Sequence, residues 1–359
     1  MRSNVLLSIV ATLVALVVFE FGLKQTGIYL THSEKNSHGG LYFSRRQSEL
    51  LNTWFWVHQP NDTFSYPRPE FKFNRTTNSL GLSDSEWIVN DSSYVILGIG
   101  DSFTEGVGVD ADSTWLKTME YTFQESVSFP VKTMNGGIGG SDPVFGYLLF
   151  EQKLRDYKPE MVILSLNSSD ILEMSFRGGF ERFKEDGTTG RAAPEWEYFY
   201  QHSHLIRFVV HTLLQYNRVL IKESEARRNR EKFVPIVDLI ISKIDSLSYL
   251  DTFKYLIVVH PIPSDFQSNG YFDEEMNELI ESMKAAGTPY LDIREKLISE
   301  GYGSEEEVKS IYWPIDMHFN KKGYKLYAKY VARKIENDFL NTDSVITTQK
   351  HPQPSLDVH

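Results

Sequence analysis

The stretch Gly98-Ile99-Gly100-Asp101-Ser102-Phe103-Thr104-Glu105-Gly106 follows directly on the apolar run Tyr94-Val95-Ile96-Leu97. A short β-branched run that breaks into Gly-Asp-Ser reads as a buried strand ending in a tight turn. Glycine lets the backbone bend there, and the serine is held at the tip, where the next helix begins. A hydroxyl in that place becomes a nucleophile when a histidine is near enough to take its proton. The chain offers one near its other end, in Asp316-Met317-His318-Phe319-Asn320. Taken alone, Ser102 reads equally well as a helix N-cap, a role serine often fills.

Outward from this turn, strand and helix patterns alternate. Strands are expected at 94–99, 130–134, 161–166, 254–259 and 289–293. Asp142 followed by Pro143 marks a helix start, an N-cap with proline at the first helical position, and that helix should run to about Tyr157. Another helix should span about Phe272 to Ala286 and stop at Gly287. The last should begin after Asn320 and reach about Asp338, with Leu326, Tyr330 and Val331 on its buried face. This alternation predicts an α/β fold, a parallel sheet sandwiched between helices. Active sites in such sheets gather beyond the carboxyl ends of the strands, where both Ser102 and Asn167 fall.

Residues 176 to about 250 interrupt the alternation and read as an insertion, a cap over the site or a partner surface. It holds an aromatic patch (Trp196, Tyr198, Phe199, Tyr200) and what looks like one long helix near 203–231, apolar at first and highly charged at its end. Residues 25 to about 90 resemble a juxtamembrane segment, broken by Pro60, Pro67 and Pro69, with a short strand at Phe71-Lys72-Phe73 and a turn at Asn78-Ser79-Leu80-Gly81-Leu82. The tail, 341–359, is polar and reads as disordered. The main α/β domain then occupies 91–340.

The N-terminus, 1–24, is nearly continuous in apolar residues from Val5 to Leu23, a length that crosses a bilayer as a helix. No small-x-small cleavage pattern stands at its far end, which favours an uncleaved signal anchor over a removed signal peptide. Arg2 favours a cytoplasmic N-terminus, which puts the body outside the cytoplasm, whereas Lys24 pulls the other way. The formal net charge of -11 argues against a nucleic-acid partner, because phosphate binding needs clustered Lys and Arg. With no cysteine among 359 residues, disulfides, thiolate metal sites and cysteine nucleophiles are excluded. No His, Asp or Glu cluster has metal-ligand spacing, so neither metal nor cofactor is expected.

Four separated blocks resemble those of the SGNH (GDSL-type) hydrolase superfamily, over about residues 94–338: Gly100-Asp101-Ser102-Phe103, Asn135-Gly136-Gly137-Ile138-Gly139-Gly140-Ser141, Leu164-Ser165-Leu166-Asn167-Ser168-Ser169-Asp170 and Asp316-x-His318. The resemblance implies a flavodoxin-like three-layer α/β/α sandwich acting on acyl esters, often of lipids or carbohydrates. Two blocks depart from the family pattern. The third usually reads Gly-x-Asn-Asp, but Ser168 follows Asn167, and a shifted alignment would set Ser169-Asp170 in its place. The fourth usually has two residues between Asp and His, but here only Met317 intervenes. That shorter form resembles SGNH-like proteins of bacterial polysaccharide O-acetylation.

The resemblance implies Ser102 as nucleophile, His318 as general base and then acid, and Asp316 as the carboxylate that orients the imidazole. It also implies an oxyanion hole from the N–H groups of Ser102 and Gly140 and the side-chain amide of Asn167. Residues two apart in an extended chain point to the same side, so Asp316 should reach His318. His260, at the end of the fourth strand, is a rival base with no nearby preceding carboxylate. The expected function is a serine esterase anchored in the membrane. The alternatives are an O-acyltransferase with a sugar hydroxyl as acceptor, or an SGNH-like scaffold without activity.

Overall fold

The computed structural model describes residues 2–27, 57–88, 93–183, 197–216, 221–267 and 274–340. They fall into two compact units, divided after Trp56, Glu173 and Lys232. The expected tail at 341–359, Trp196, and the start of the helix placed at Phe272 lie outside the described residues.

The larger unit opens with an antiparallel hairpin, β1 (Thr63–Pro67) and β2 (Lys72–Thr76). Its main sheet comprises β3 (Tyr94–Gly100), β4 (Val131–Gly137), β5 (Met161–Leu166), β6 (Lys254–Val259) and β7 (Tyr290–Asp292). The spatial order is β4-β3-β5-β6-β7, and every neighbouring pair is parallel. This is the doubly wound, flavodoxin-like order, whose switch point lies between the first strand of the sheet and the third. Here those strands are β3 and β5, and their carboxyl ends lead into Ser102 and Asn167.

Both faces of the sheet are covered, so β5 is buried at all six positions and reads as an unbroken apolar run. On one face Ile96, Met161, Ile163, Leu256 and Val258 pack with Trp115, Met119 and Phe123 of helix Trp115–Ser126, and with Tyr327, Val331 and Ile335 of helix Lys321–Ile335. Helix Phe233–Asp251 packs against β6 and against helices Pro143–Leu149 and Glu274–Ala286. Each large side chain so buried contributes about 1.5–3 kcal/mol.

The local capping signals hold. Asp142 caps its helix by accepting the Phe145 N–H at 3.1 Å, and Asn320 accepts from Lys322 and Gly323 at 2.9 and 3.2 Å. Gly287 ends its helix at φ +69°. Elsewhere the structure differs. The helix from Pro143 is α-helical only to Leu149 and continues as a π turn, Phe150–Leu154, and a 3-10 turn, Arg155–Tyr157. The last helix likewise passes into a π turn after Ile335, and Leu326 is only partly buried.

The long helix expected near 203–231 is instead several short pieces. Ser203, extended at φ −123°, caps a new helix through the Ile206 N–H, and Gln215 takes a left-handed φ of +56° before a bridge between Tyr216 and Lys222. A separate helix, Glu223–Arg230, follows. The charged half is thus not a continuation of the apolar half. Phe233–Asp251 belongs with the larger unit, so the interruption is shorter than the expected 176 to about 250.

The smaller unit contains helix Arg2–Thr26, whose stretch Asn4–Thr26 is long and apolar enough to cross a membrane. It also contains Met174–Lys232.

Candidate active site

Ser102 opens a four-residue helix at the end of β3. Asp101 caps it, its Oδ1 accepting the Phe103 N–H at 2.9 Å. Ser102 Oγ lies 2.7 Å from His318 Nε2, and His318 Nδ1 lies 2.5 Å from Asp316 Oδ1. An ionised carboxylate only accepts, so Nδ1 carries the proton and Nε2 is left as acceptor for the serine O–H. Burial pushes the Asp316 carboxyl up, but the His318 hydrogen bond and charge, with the Arg68 charge, outweigh it and hold the group below the usual carboxylate range.

Asp316 reaches His318 by a different route from the extended one expected. Met317 is left-handed at φ +71°, its N–H bonded to the Trp313 carbonyl at 2.8 Å, while the Trp313 N–H bonds the His318 carbonyl at 2.8 Å. The chain therefore turns between the two residues, which lets a one-residue spacing close the contact. A non-glycine residue in this conformation costs on the order of 1–2 kcal/mol. Glu70 holds the turn from outside, accepting the Ile315 N–H at 2.9 Å and the Asp316 N–H at 2.7 Å.

Asn167 is fully buried at the end of β5. Its Nδ2 donates to Asp101 Oδ2 at 3.0 Å, and its Oδ1 accepts from the Ser169 hydroxyl at 2.6 Å and the Ser169 N–H at 2.9 Å. The Asp170 carboxylate turns back to the Asn167 N–H at 2.8 Å. Its pKa is pushed well up, by burial first and by the charge of Asp101 second. The Asn167 amide thus lies beside Asp101, the residue that precedes Ser102, and the Ser169 hydroxyl makes a longer contact of 3.5 Å to the same oxygen.

Gly140 sits in a turn, Ile138 to Ser141, at φ +68°. The loop lies close to the turn at Ser102: a Cβ on Gly139 would come 3.9 Å from the Ser102 Cβ, and one on Gly137 would meet the Glu105 nitrogen at 2.3 Å. Asn135 Oδ1 supports the bend by accepting the Gly137 N–H at 3.0 Å.

His260 makes no hydrogen bond to Ser102. It is fully buried, its Nδ1 is 3.2 Å from the Pro261 carbonyl, and Nε2 has no hydrogen-bond partner among the described residues. Phe103, Phe319 and Tyr327 surround it at centroid distances of 4.6, 5.6 and 5.4 Å. Burial lowers its pKa to about 4, so the ring is a neutral packing group near neutral pH.

The largest omission from the sequence reading is the segment 57–88. It packs into the larger unit and supplies an outer set of side chains to the site. Glu70 braces the Asp316 turn, as above. His58 Nε2 bonds Glu105 Oε1 at 2.9 Å, while Glu105 Oε2 accepts the Gly139 N–H. Burial raises the Glu105 pKa, but His58 first, then Arg75 and Gly139, bring it below the usual value. Arg75, itself buried, donates to the carbonyls of Gly106 and Val109 at 2.7 and 2.8 Å. Asp84 Oδ2 accepts the Asn135 N–H at 2.9 Å. These residues stand in no motif, and only the aromatic content of the segment hinted at burial.

The GDSL-like Lipase/Acylhydrolase family profile matches residues 99–326. Among solved structures, similarity extends to the lipase/acylhydrolase from Enterococcus faecalis, with 15% identity, 68% of this chain and 95% of that chain covered, and a TM-score of 0.40. The psychrotrophic esterase EstA from Pseudoalteromonas sp. is similar at 13% identity, covering 69% of this chain and 99% of that chain, with a TM-score of 0.40. A two-domain esterase active on acetylated mannans is similar at 14% identity over 74% of this chain and 52% of that chain, with a TM-score of 0.34. No curated protein matches the sequence. The matched profile begins inside β3, ends in the last helix and takes in more than half of the chain, and the protein belongs to the GDSL-like lipase/acylhydrolase family.

Proposed function

We propose that the protein is a serine esterase that cleaves an acyl ester through an acyl-serine intermediate. The observation that carries this reading is the unbroken hydrogen-bond chain Ser102 Oγ–His318 Nε2–His318 Nδ1–Asp316 Oδ1. In the first step Ser102 Oγ attacks the ester carbonyl and its proton passes to His318 Nε2. Asp316 stabilises the imidazolium so formed. The negative charge on the former carbonyl oxygen is met by the N–H groups of Ser102 and Gly140 and the amide of Asn167. Collapse of the tetrahedral adduct breaks the ester C–O bond, and the leaving alkoxide takes the proton back from Nε2. Water then repeats the sequence on the acyl-serine and releases the acid.

A second acceptor, a sugar hydroxyl, would make the same chemistry an O-acyl transfer. The one-residue Asp316-x-His318 spacing favours keeping it in view. The apolar helix Asn4–Thr26 supports an anchored protein; Arg2 before it supports a body outside the cytoplasm, where an acylated envelope glycan or lipid would be the substrate.

The test uses the full chain with a short acyl ester, with and without a glycan acceptor. Hydrolysis and fluorophosphonate labelling, both lost in Ser102→Ala, are expected. Labelling that persists in Ser102→Ala overturns Ser102 as the nucleophile, and neither label nor turnover in the native chain overturns the esterase and leaves a scaffold.

A further inference from the structure

Glu20 is the one carboxylate in helix Arg2–Thr26, and its partners lie far along the chain. Its Oε2 accepts the Ser203 hydroxyl at 2.8 Å and the Leu205 N–H at 2.7 Å, and its Oε1 accepts the His204 N–H at 2.7 Å. One residue earlier, Phe19 meets Phe208 edge to face at 5.6 Å between ring centroids. The apolar helix is thus fastened to the segment 197–214 at the level of residues 19 and 20.

That level sets a depth. At 1.5 Å rise per residue, Glu20 lies ~5 Å short of the last apolar residue, Leu23, and ~9 Å short of the helix end at Thr26. A group that touches it therefore sits at the boundary of headgroups and acyl chains, the depth of ~5–10 Å at which interfacial helices bury their apolar face.

The segment is built for that place. At its end two leucines face outward, Leu213 63% and Leu214 54% exposed, and Phe199 is also exposed. Its arginine and one of its histidines are bonded locally, while His202 and Thr212 are exposed. Arg207 is buried, its Nε donating to the Tyr200 carbonyl at 2.8 Å and its guanidinium lying 4.4 Å from the Tyr200 ring centroid. His211 Nε2 bonds the Tyr200 hydroxyl at 2.8 Å, and its Nδ1 bonds the Tyr216 carbonyl at 2.7 Å. Exposed leucine and phenylalanine side chains beside a buried arginine suit an apolar surrounding better than water.

We propose that residues 197–214 form a second membrane contact, seated in the lipid interface beside the N-terminal helix. This rests on reading that helix as a span. It also makes the helix a lasting part of the fold, because its loss would strip Ser203, His204 and Leu205 of their shared acceptor.

The chain has no cysteine, so single labels report single places. Full-length Thr12→Cys, Leu213→Cys and Leu214→Cys proteins are labelled with an environment-sensitive dye and reconstituted in phosphatidylcholine–phosphatidylglycerol vesicles. Lipids spin-labelled near the headgroup are expected to quench the dyes at 213 and 214 roughly twofold or more, with little quenching by aqueous iodide. A dye at 12 quenched by deep spin labels, with those at 213 and 214 open to iodide, overturns the second contact alone. A dye at 12 untouched by lipid quenchers overturns the span and the second contact together.

Discussion

Glu105 Oε2 accepts the backbone N–H of Gly139 at 2.5 Å, which ties the helix that begins at Ser102 to the loop that carries Gly140. The other carboxylate oxygen is held by His58 at 2.9 Å, so the clamp is itself fixed by the segment 57–88. A wholly buried carboxylate with this many donors is an expensive thing to place in a core unless its position matters.

Glu105→Ala should therefore lower kcat by roughly tenfold or more with a smaller change in KM, because oxyanion donors contribute about 10²–10³ only when correctly aimed. Glu105→Gln keeps an oxygen for Gly139 and should lose less. Steady-state kinetics on both variants checks this. Equal losses in the two would show that the charge, not the acceptor at Gly139, is what counts.

Asn167 is bonded to Asp101 through one N–H of its amide, and an amide nitrogen has two. Asn167→Ala should lower kcat about a hundredfold if the second N–H serves the developing oxyanion. The same variant leaves Asp101 Oδ2 with only the long 3.5 Å contact from Ser169, so its thermal midpoint should fall as well. Turnover within a factor of about three of the native rate would remove Asn167 from the oxyanion hole.

What the sequence reveals and what it hides divide along a physical line. The β3 turn at Ser102, the Asp142 and Asn320 caps and the stop at Gly287 are written in neighbouring residues, and each was legible. The parallel sheet followed from alternation, because strands buried on both faces have an unmistakable composition. The meeting of Ser102 with His318 was legible only as separated blocks in order. The route of the chain between Asp316 and His318 was not, because a left-handed Met317 has no signature in a residue type that usually avoids it. His58, Glu70, Arg75 and Asp84 act through bonds that span many residues of sequence, and no period or motif connects them to their partners. The long helix near 203–231 failed for a related reason. Its apolar and charged halves each carry a helical pattern, while the break between them rests on the unusual backbone of Gln215 and the Tyr216–Lys222 bridge.

His260 gives a pH signature of stability. Burial lowers its folded pKa to about 4, with the Asp101 charge and the Pro261 hydrogen bond acting upward and the His318 charge downward. The unfolded chain binds a proton near pH 6.5 and the folded one does not, so the unfolded state holds more protons in between. Stability then rises with pH and is lost as pH falls from about 6.5 to about 4, by on the order of 3 kcal/mol from this group. Glu105 and Asp316, both held below their usual values, add acid losses of the same sign. His260→Phe removes only the first contribution, and the Pro261 carbonyl keeps the Tyr312 hydroxyl at 2.7 Å. Urea unfolding of both proteins at several pH values should show a shallower acid decline for His260→Phe, and parallel declines would show that the imidazole is protonated in the folded state.

Asp316→Asn separates charge from shape. The backbone turn persists, since Glu70 holds the Asp316 N–H and Met317 bonds to Trp313 through main-chain atoms. What changes is the partner of His318 Nδ1. A neutral amide no longer stabilises the imidazolium, and if its NH₂ faces the ring it forces the proton onto Nε2, where it blocks the serine. The rate should fall by about 10³–10⁴ with little change in thermal midpoint, the pattern for a carboxylate that fixes a tautomer. Because the groups act as a unit, adding His318→Ala should cost almost nothing further. Single-turnover hydrolysis of a short acyl ester by the two single variants and the double variant measures this. Losses that multiply would mean that Asp316 and His318 serve separate steps.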